Sequence, residues 1–148
     1  MSSSTLVTCS LDKTIKFWDL SRLADSQSKR SGAATDSIFH ASHTVDTTYP
    51  VWRARNTPFG KGVLALPQRG ETRLELWGFA ESSGESEDAE CVIRFEGHRD
   101  IVKEYVWRVR SGGSVGDEEY QLITWSKDRT LRLWPIRRDI IDVSLCDV

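Results

Sequence analysis

Short runs in which apolar and polar residues alternate recur along the chain, separated by turn-forming residues. Thr5-Leu6-Val7-Thr8-Cys9, Thr14-Ile15-Lys16-Phe17-Trp18, Arg73-Leu74-Glu75-Leu76-Trp77 and Thr130-Leu131-Arg132-Leu133-Trp134 follow the two-residue period of a half-buried strand. Gly62-Val63-Leu64-Ala65-Leu66 and Cys91-Val92-Ile93-Arg94-Phe95 are more continuously apolar, and residues 101–107 and 120–125 extend the series. Their β-branched and aromatic content suits a pleated, partly buried surface. No segment sustains a 3.6-residue period over three turns, so the pattern predicts an all-β fold.

Two stretches interrupt it. Residues 21–48 and 81–90 are polar and Ser-rich and bury too little apolar area to offset the entropy of ordering, which predicts long loops. A third predicted loop, 111–119, is Gly-rich and then acidic. Ser83 and Ser86 lie among acidic residues and are conceivable phosphorylation sites, with a plain solvated loop as the simpler reading.

Composition narrows the class. At 148 residues the chain holds about one domain. Its net charge of -2 gives no electrostatic reason to expect nucleic acid or an anionic membrane as partner. Cys9, Cys91 and Cys146 are odd in number and far apart, so neither a disulfide framework nor a zinc ribbon is indicated. The opening residues lack a basic n-region, and no run approaches the ~18 apolar residues of a membrane span. The chain therefore reads as soluble and intracellular. Six Trp residues are the unusual feature, and they point to a packing role that is repeated.

The repeat is explicit. Residues 6–18 align with residues 122–134 at a constant offset of 116, with Leu, Thr, Ser, Asp, Thr and Trp identical and Val/Ile, Ile/Leu, Lys/Arg and Phe/Leu exchanges between them. A degenerate third copy ends at Trp77, which lies 59 residues after Trp18 and 57 before Trp134.

Strand, S-x-D-x-T turn and strand ending in Trp, with Gly97-His98 upstream, resembles the WD-repeat β-propeller, whose blades are four-stranded sheets. The resemblance implies a buried polar network of His98, Thr124, Asp128 and Trp134, with Thr8, Asp12 and Trp18 as its partial counterpart in the first copy. The usual period is about 40–45 residues per blade, so the longer intervals carry insertions that match the Ser-rich loops. The expectation is a partial propeller of about two and a half blades, a piece of a longer propeller, since closed ones need about four to eight. Residues 1–20 would end one blade, 21–48 form a polar loop, 49–80 a degenerate second blade, 81–90 an acidic loop, 91–136 a third blade and 137–148 a tail.

Two further segments narrow the resemblance. The run Tyr49-Pro50-Val51-Trp52-Arg53-Ala54-Arg55-Asn56-Thr57-Pro58-Phe59-Gly60 and the run from Gly97 through Trp125-Ser126-Lys127-Asp128-Arg129 to Trp134 are similar to the SEA/GATOR-complex WD-repeat subunits, which also carry RWD and RING-like domains. That resemblance implies a non-enzymatic interaction scaffold, with no cofactor, in a complex that regulates TOR signalling in response to amino acids. Its partners would be other WD-repeat subunits, with no nucleic acid, and the chain would be cytoplasmic, reaching the vacuolar or lysosomal membrane only through the complex. Lys13, Lys127 and Arg129 at the turns, with Arg53 and Arg55, are the expected partner-binding residues. A generic WD-repeat adaptor in RNA processing or ubiquitin ligation is the alternative.

Other chemical signals are weak. Gly112-Gly113-Ser114-Val115-Gly116 spells a nucleophile elbow, but a strand rather than a helix is expected after it. His40 and His43 sit in a polar stretch without a Cys or carboxylate cluster of ligand spacing, so no metal site is expected. Trp52, Trp107 and Trp125 lie in strand patterns, where core packing is the expected role rather than base stacking.

Overall fold

The computed structural model describes residues 5–20, 40–60, 62–79, 89–110 and 118–136. Among them are ten strands and no helix: β1 (Thr5–Cys9), β2 (Thr14–Asp19), β3 (His43–Asp46), β4 (Val51–Asn56), β5 (Val63–Pro67), β6 (Leu74–Phe79), β7 (Ala89–Phe95), β8 (Val102–Arg110), β9 (Glu119–Ser126) and β10 (Leu131–Pro135). They form three antiparallel sheets in the orders β1-β2-β3, β4-β5-β6-β7 and β10-β9-β8. The fold is all-β, and its sheets are blades of a partial WD-repeat propeller.

Each sheet packs face to face on the next. Ile15, Phe17 and Val45 of the first sheet bury against Tyr49, Val51, Val63 and Ala65 of the middle one. Leu64, Leu66, Leu74, Leu76 and Phe95 bury against Val102, Tyr105 and Leu122 of the third. The continuous apolar run of β5 is thereby explained, since successive side chains point to opposite faces and both faces of this strand are covered. The Tyr105 hydroxyl ties the third sheet to the middle one by donating to the Leu64 carbonyl at 3.0 Å.

The blade boundaries differ from the sequence expectation at two places. Residues 43–46, assigned above to a polar loop, form β3, because Val45 pairs with Ile15 and closes the first core. Residues 91–95, placed at the head of the third blade, pair with β6 and complete the middle sheet instead. The stretch 91–136 therefore runs from the outer strand of the middle sheet into the three strands of the third, while the repeated windows 6–18 and 122–134 are each a hairpin within a single sheet. Two Trp assignments also change. Trp52 is 61% exposed at a bulge in β4, and Trp125 lies on an open face, whereas Trp107 meets the Phe59 ring edge-on at 5.3 Å.

Candidate functional site

The β9–β10 turn and the β7–β8 connection meet at one end of the third sheet and bring four separated side chains together. Asp128 is a charged acceptor, so His98 Nδ1 carries the proton and donates to its Oδ2 at 3.0 Å. His98 Nε2 is then an acceptor and takes the Thr124 hydroxyl at 2.8 Å. The Thr124 oxygen in turn accepts from Trp134 Nε1 at 2.9 Å. The result is a one-way chain of donors from indole through hydroxyl and imidazole to carboxylate, and its inner members, Thr124 and His98, are buried. Each buried polar atom finds a partner within the chain, which makes the arrangement a structural lock.

Asp128 is itself fixed from four sides. Its Oδ1 accepts from the Thr130 hydroxyl at 2.6 Å and the Thr130 backbone N–H at 2.9 Å, and its Oδ2 also accepts from the Arg99 N–H at 2.8 Å. Gly97 lets the connection pass: its φ is +152°, and an added Cβ would stand 2.9 Å from Arg132 Nη1. Arg132 lies over the Trp134 ring at 5.9 Å and closes the network from outside.

The first sheet holds part of the same construction. Trp18 Nε1 donates to the Thr8 hydroxyl at 2.8 Å, and Asp12 Oδ1 accepts from the Thr14 hydroxyl at 2.7 Å and its N–H at 3.0 Å. Both turns carry a basic residue in the left-handed region at matched positions, Lys13 at φ 71° and Arg129 at φ 65°. In the middle sheet, register places Ala65 where Thr8 and Thr124 stand, so Trp77 Nε1 meets no threonine hydroxyl there.

These contacts set the titration of the turn carboxylates. The Thr130 hydroxyl, outweighing burial and helped by the Arg99 and Thr130 N–H groups, holds the Asp128 carboxyl far below the usual carboxylate range. The Thr14 hydroxyl lowers Asp12 in the same sense. A depressed folded pKa contributes stability that is complete above the unfolded value of about 3.9 and is lost as pH falls toward the folded value. The thermal midpoint should therefore drop below about pH 4, and Asp128→Asn should flatten that descent. An unchanged acid slope in the variant would show that other carboxylates govern it.

Of the five expected binding residues, three sit on turns and two on β4. Lys13, Lys127 and Arg129 are exposed on turns at the same end of their sheets as the β3–β4 and β7–β8 connections, as the bonds from Thr47 N–H to the Lys13 carbonyl and from Lys127 N–H to the Ile101 carbonyl establish. Arg53 is instead held in an ion pair with Glu104 between the middle and third sheets, and Arg55 is exposed on β4.

A second polar cluster was not anticipated from the sequence. Glu75, only 2% exposed, accepts from the Tyr49 hydroxyl at 2.9 Å and from Arg94 Nε at 3.0 Å. Burial, reinforced by the Glu75 charge, pushes the Tyr49 phenol above its ordinary range. Burial also pushes the Cys9 and Cys91 thiols up, away from the thiolate that nucleophiles and metal ligands need. Among the described residues no group of three or more His, Cys, Asp and Glu could hold a metal ion. Ser83, Ser86, Ser114 and Cys146 lie outside the described residues.

Repeated sheets, the S-x-D-x-T turns and the Trp–Thr–His–Asp chain together define a WD-repeat β-propeller protein. The WD domain, G-beta repeat family matches residues 2–19. Over 140 residues the chain is 41% identical to an RWD, RING finger and WD repeat-containing protein of Schizosaccharomyces pombe, covering 93% of this chain and 9% of that protein. It is 35% identical over 144 residues to maintenance of telomere capping protein 5 of Saccharomyces cerevisiae, covering 93% and 11%. It is 33% identical over 146 residues to the GATOR2 complex protein Wdr59 of Drosophila melanogaster, covering 96% and 12%. The chain belongs to the WD-repeat proteins and, among them, resembles the SEA/GATOR-type subunit with WD-repeat, RWD and RING-like domains. It spans about a tenth of the length of these relatives.

Proposed function

We propose that the chain acts as a non-enzymatic interaction scaffold in a SEA/GATOR-type complex that regulates TOR signalling in response to amino acids. Its similarity to the GATOR2 complex protein Wdr59 along 96% of its length carries this reading. The polar chemistry supports it, because the His and Asp that could serve catalysis are consumed in holding the β9–β10 turn. Its partners are other WD-repeat subunits, and it is a cytoplasmic protein that reaches the vacuolar or lysosomal surface through them. The turn rim carrying Lys13, Lys127 and Arg129 contributes a binding surface.

Reversing charge at Lys127 and Arg129 to Glu, in the endogenously tagged chain, should cut recovery of the other complex subunits by tenfold or more without lowering the chain's own abundance. Undiminished recovery would remove the rim from the interface. Retrieval of nuclease-sensitive RNA assemblies or ubiquitin-ligase subunits in place of signalling subunits would replace the proposed complex with the general adaptor role.

A further inference from the structure

Three tight turns stand at one end of the sheets and share one backbone corner. The β1–β2 and β5–β6 turns both bond to the β3–β4 connection, through Val51 N–H to the Ser10 carbonyl and Gln68 N–H to the Pro50 carbonyl. The β9–β10 turn bonds to the β7–β8 connection through Lys127 N–H to the Ile101 carbonyl. That connection leaves the middle sheet where Phe95 pairs with Leu74, beside the β5–β6 turn. Five residues after the matched Thr8, Ala65 and Thr124, each turn takes a left-handed corner: Lys13 at φ 71°, Gly70 at 106° and Arg129 at 65°.

Glycine adopts that corner freely, whereas a long side chain adopts it at a cost, and such strain clusters at ligand clamps. The middle turn uses the relaxed residue, and the outer two keep a cation there. Lys13, Arg69, Arg99, Lys127 and Arg129 are exposed on this rim, and among the described residues their side chains have no hydrogen-bond or ion-pair partner. The neighbouring carboxylates are turned inward: Asp12 and Asp128 onto Thr14 and Thr130, Asp100 onto the Ile101 N–H, and Glu71 toward Arg73 at 3.7 Å. The rim is built from strand ends and not from the faces through which sheets pack, and Arg69 is exposed on it with a sheet packed on either side.

The donors of the rim decide the kind of anion it suits. Backbone N–H groups that could cradle a phosphate are already taken, since Asp12 accepts from the Thr14 N–H and Asp128 from the Arg99 and Thr130 N–H groups. What is left is a row of separate cations spread over the turns, which suits a row of carboxylates. We propose that the rim binds an extended, carboxylate-rich segment of a partner protein, with Lys13 and Arg129 as its two fixed contacts. This rests on the scaffold reading and names the chemistry of its partner. A purified chain and a defined peptide separate the two: if peptide binding fails while subunit recovery still responds to charge reversal, the scaffold stands and only the acidic partner falls.

Fluorescence anisotropy of a labelled oligoglutamate peptide, titrated with the purified full chain at ~50 mM salt, where exposed charges are weakly screened, should show saturable binding in the micromolar range. The double substitution Lys13→Gly and Arg129→Gly should weaken it roughly tenfold, as expected for the loss of two exposed ion pairs. The thermal midpoint of that variant should stay level or rise, because glycine relieves both corners. Weaker binding by a chain that is no less stable separates a cation kept for a partner from one kept for folding. Arg108→Gln, which removes an exposed cation toward the far end of β8, should leave the affinity unchanged. Absence of saturable binding, an equal loss with Arg108→Gln, or tighter binding of a poly-uridine oligonucleotide of equal charge would each overturn the proposal. So would a double variant that binds as the parent does or unfolds at a lower temperature.

Discussion

Replacing His98 by alanine should lower the unfolding free energy by about 3 kcal/mol, read from urea denaturation. The imidazole is fully covered and joins two buried groups, so its removal leaves a cavity and strands the Thr124 hydroxyl. Asp128 suffers less, because Thr130 and the Arg99 N–H still hold it. Thr124→Val keeps the side-chain shape but unpairs both Trp134 Nε1 and His98 Nε2, which should cost about 2 kcal/mol. The double variant should lose less than the sum, by about 1 kcal/mol or more, because the second substitution removes a group whose partner is already missing. Thr8→Val is the internal control: Thr8 and Trp18 form the same bond on an open face, where water replaces it, and the cost should stay below about 1 kcal/mol. Strict additivity in the third sheet, or an equal cost at Thr8, would mean that the four groups do not act as a chain.

The repeat was legible because its chemistry is local. The S-x-D-x-T turn closes on itself through Ser10 N–H to the Thr14 carbonyl and Ser126 N–H to the Thr130 carbonyl, both at 3.1 Å, and needs no distant residue. The fourfold network was legible only through the resemblance, because His98 lies 26 residues before its Thr124 partner. What stayed hidden depends on partners from elsewhere. The four residues of β3 carry little strand signal of their own and are fixed by pairing with β2 and by burial of Val45. The run from Cys91 to Phe95 reads as a strand, but nothing local says whether it pairs backward with β6 or forward with β8. A strand pattern places Trp52 and Trp125 in the core only if their face is covered, and both side chains are exposed. Glu75 looks like the solvent-side residue of an alternating strand, and only the arrival of Tyr49 over it reverses that reading.

That reversal leads to the second large effect: Glu75→Ala should cost about 3 kcal/mol, because it opens a cavity and leaves the buried Tyr49 hydroxyl without its acceptor. Register sets Glu75 where Lys16 and Arg132 stand in the outer sheets, beside the Ala65 that lacks their threonine partner. The middle sheet thus replaces the Thr–Trp bond with a Tyr49–Glu75–Arg94 bridge. Arg73 Nε adds an ion-pair contact to Glu75 Oε1 at 3.5 Å, and the two hydrogen-bonded arms are unequal. Arg94 is 57% exposed on its side chain, so its ion pair is screened and Arg94→Ala should cost no more than about 1 kcal/mol. Tyr49 is buried and its hydroxyl answers a buried carboxylate oxygen, so Tyr49→Phe should cost about 2 kcal/mol by leaving that oxygen short of a donor. The alkaline limb tests the same geometry. A phenol whose folded pKa is raised contributes fully below its unfolded value of about 10 and loses that contribution as pH climbs further. The wild-type chain should therefore lose stability above about pH 10, with Tyr105 adding to the loss because burial raises it too. Tyr49→Phe should shed its share of that slope. An Arg94→Ala cost that exceeded the Tyr49→Phe cost would place the strength of the bridge in its charge instead of its buried hydroxyl.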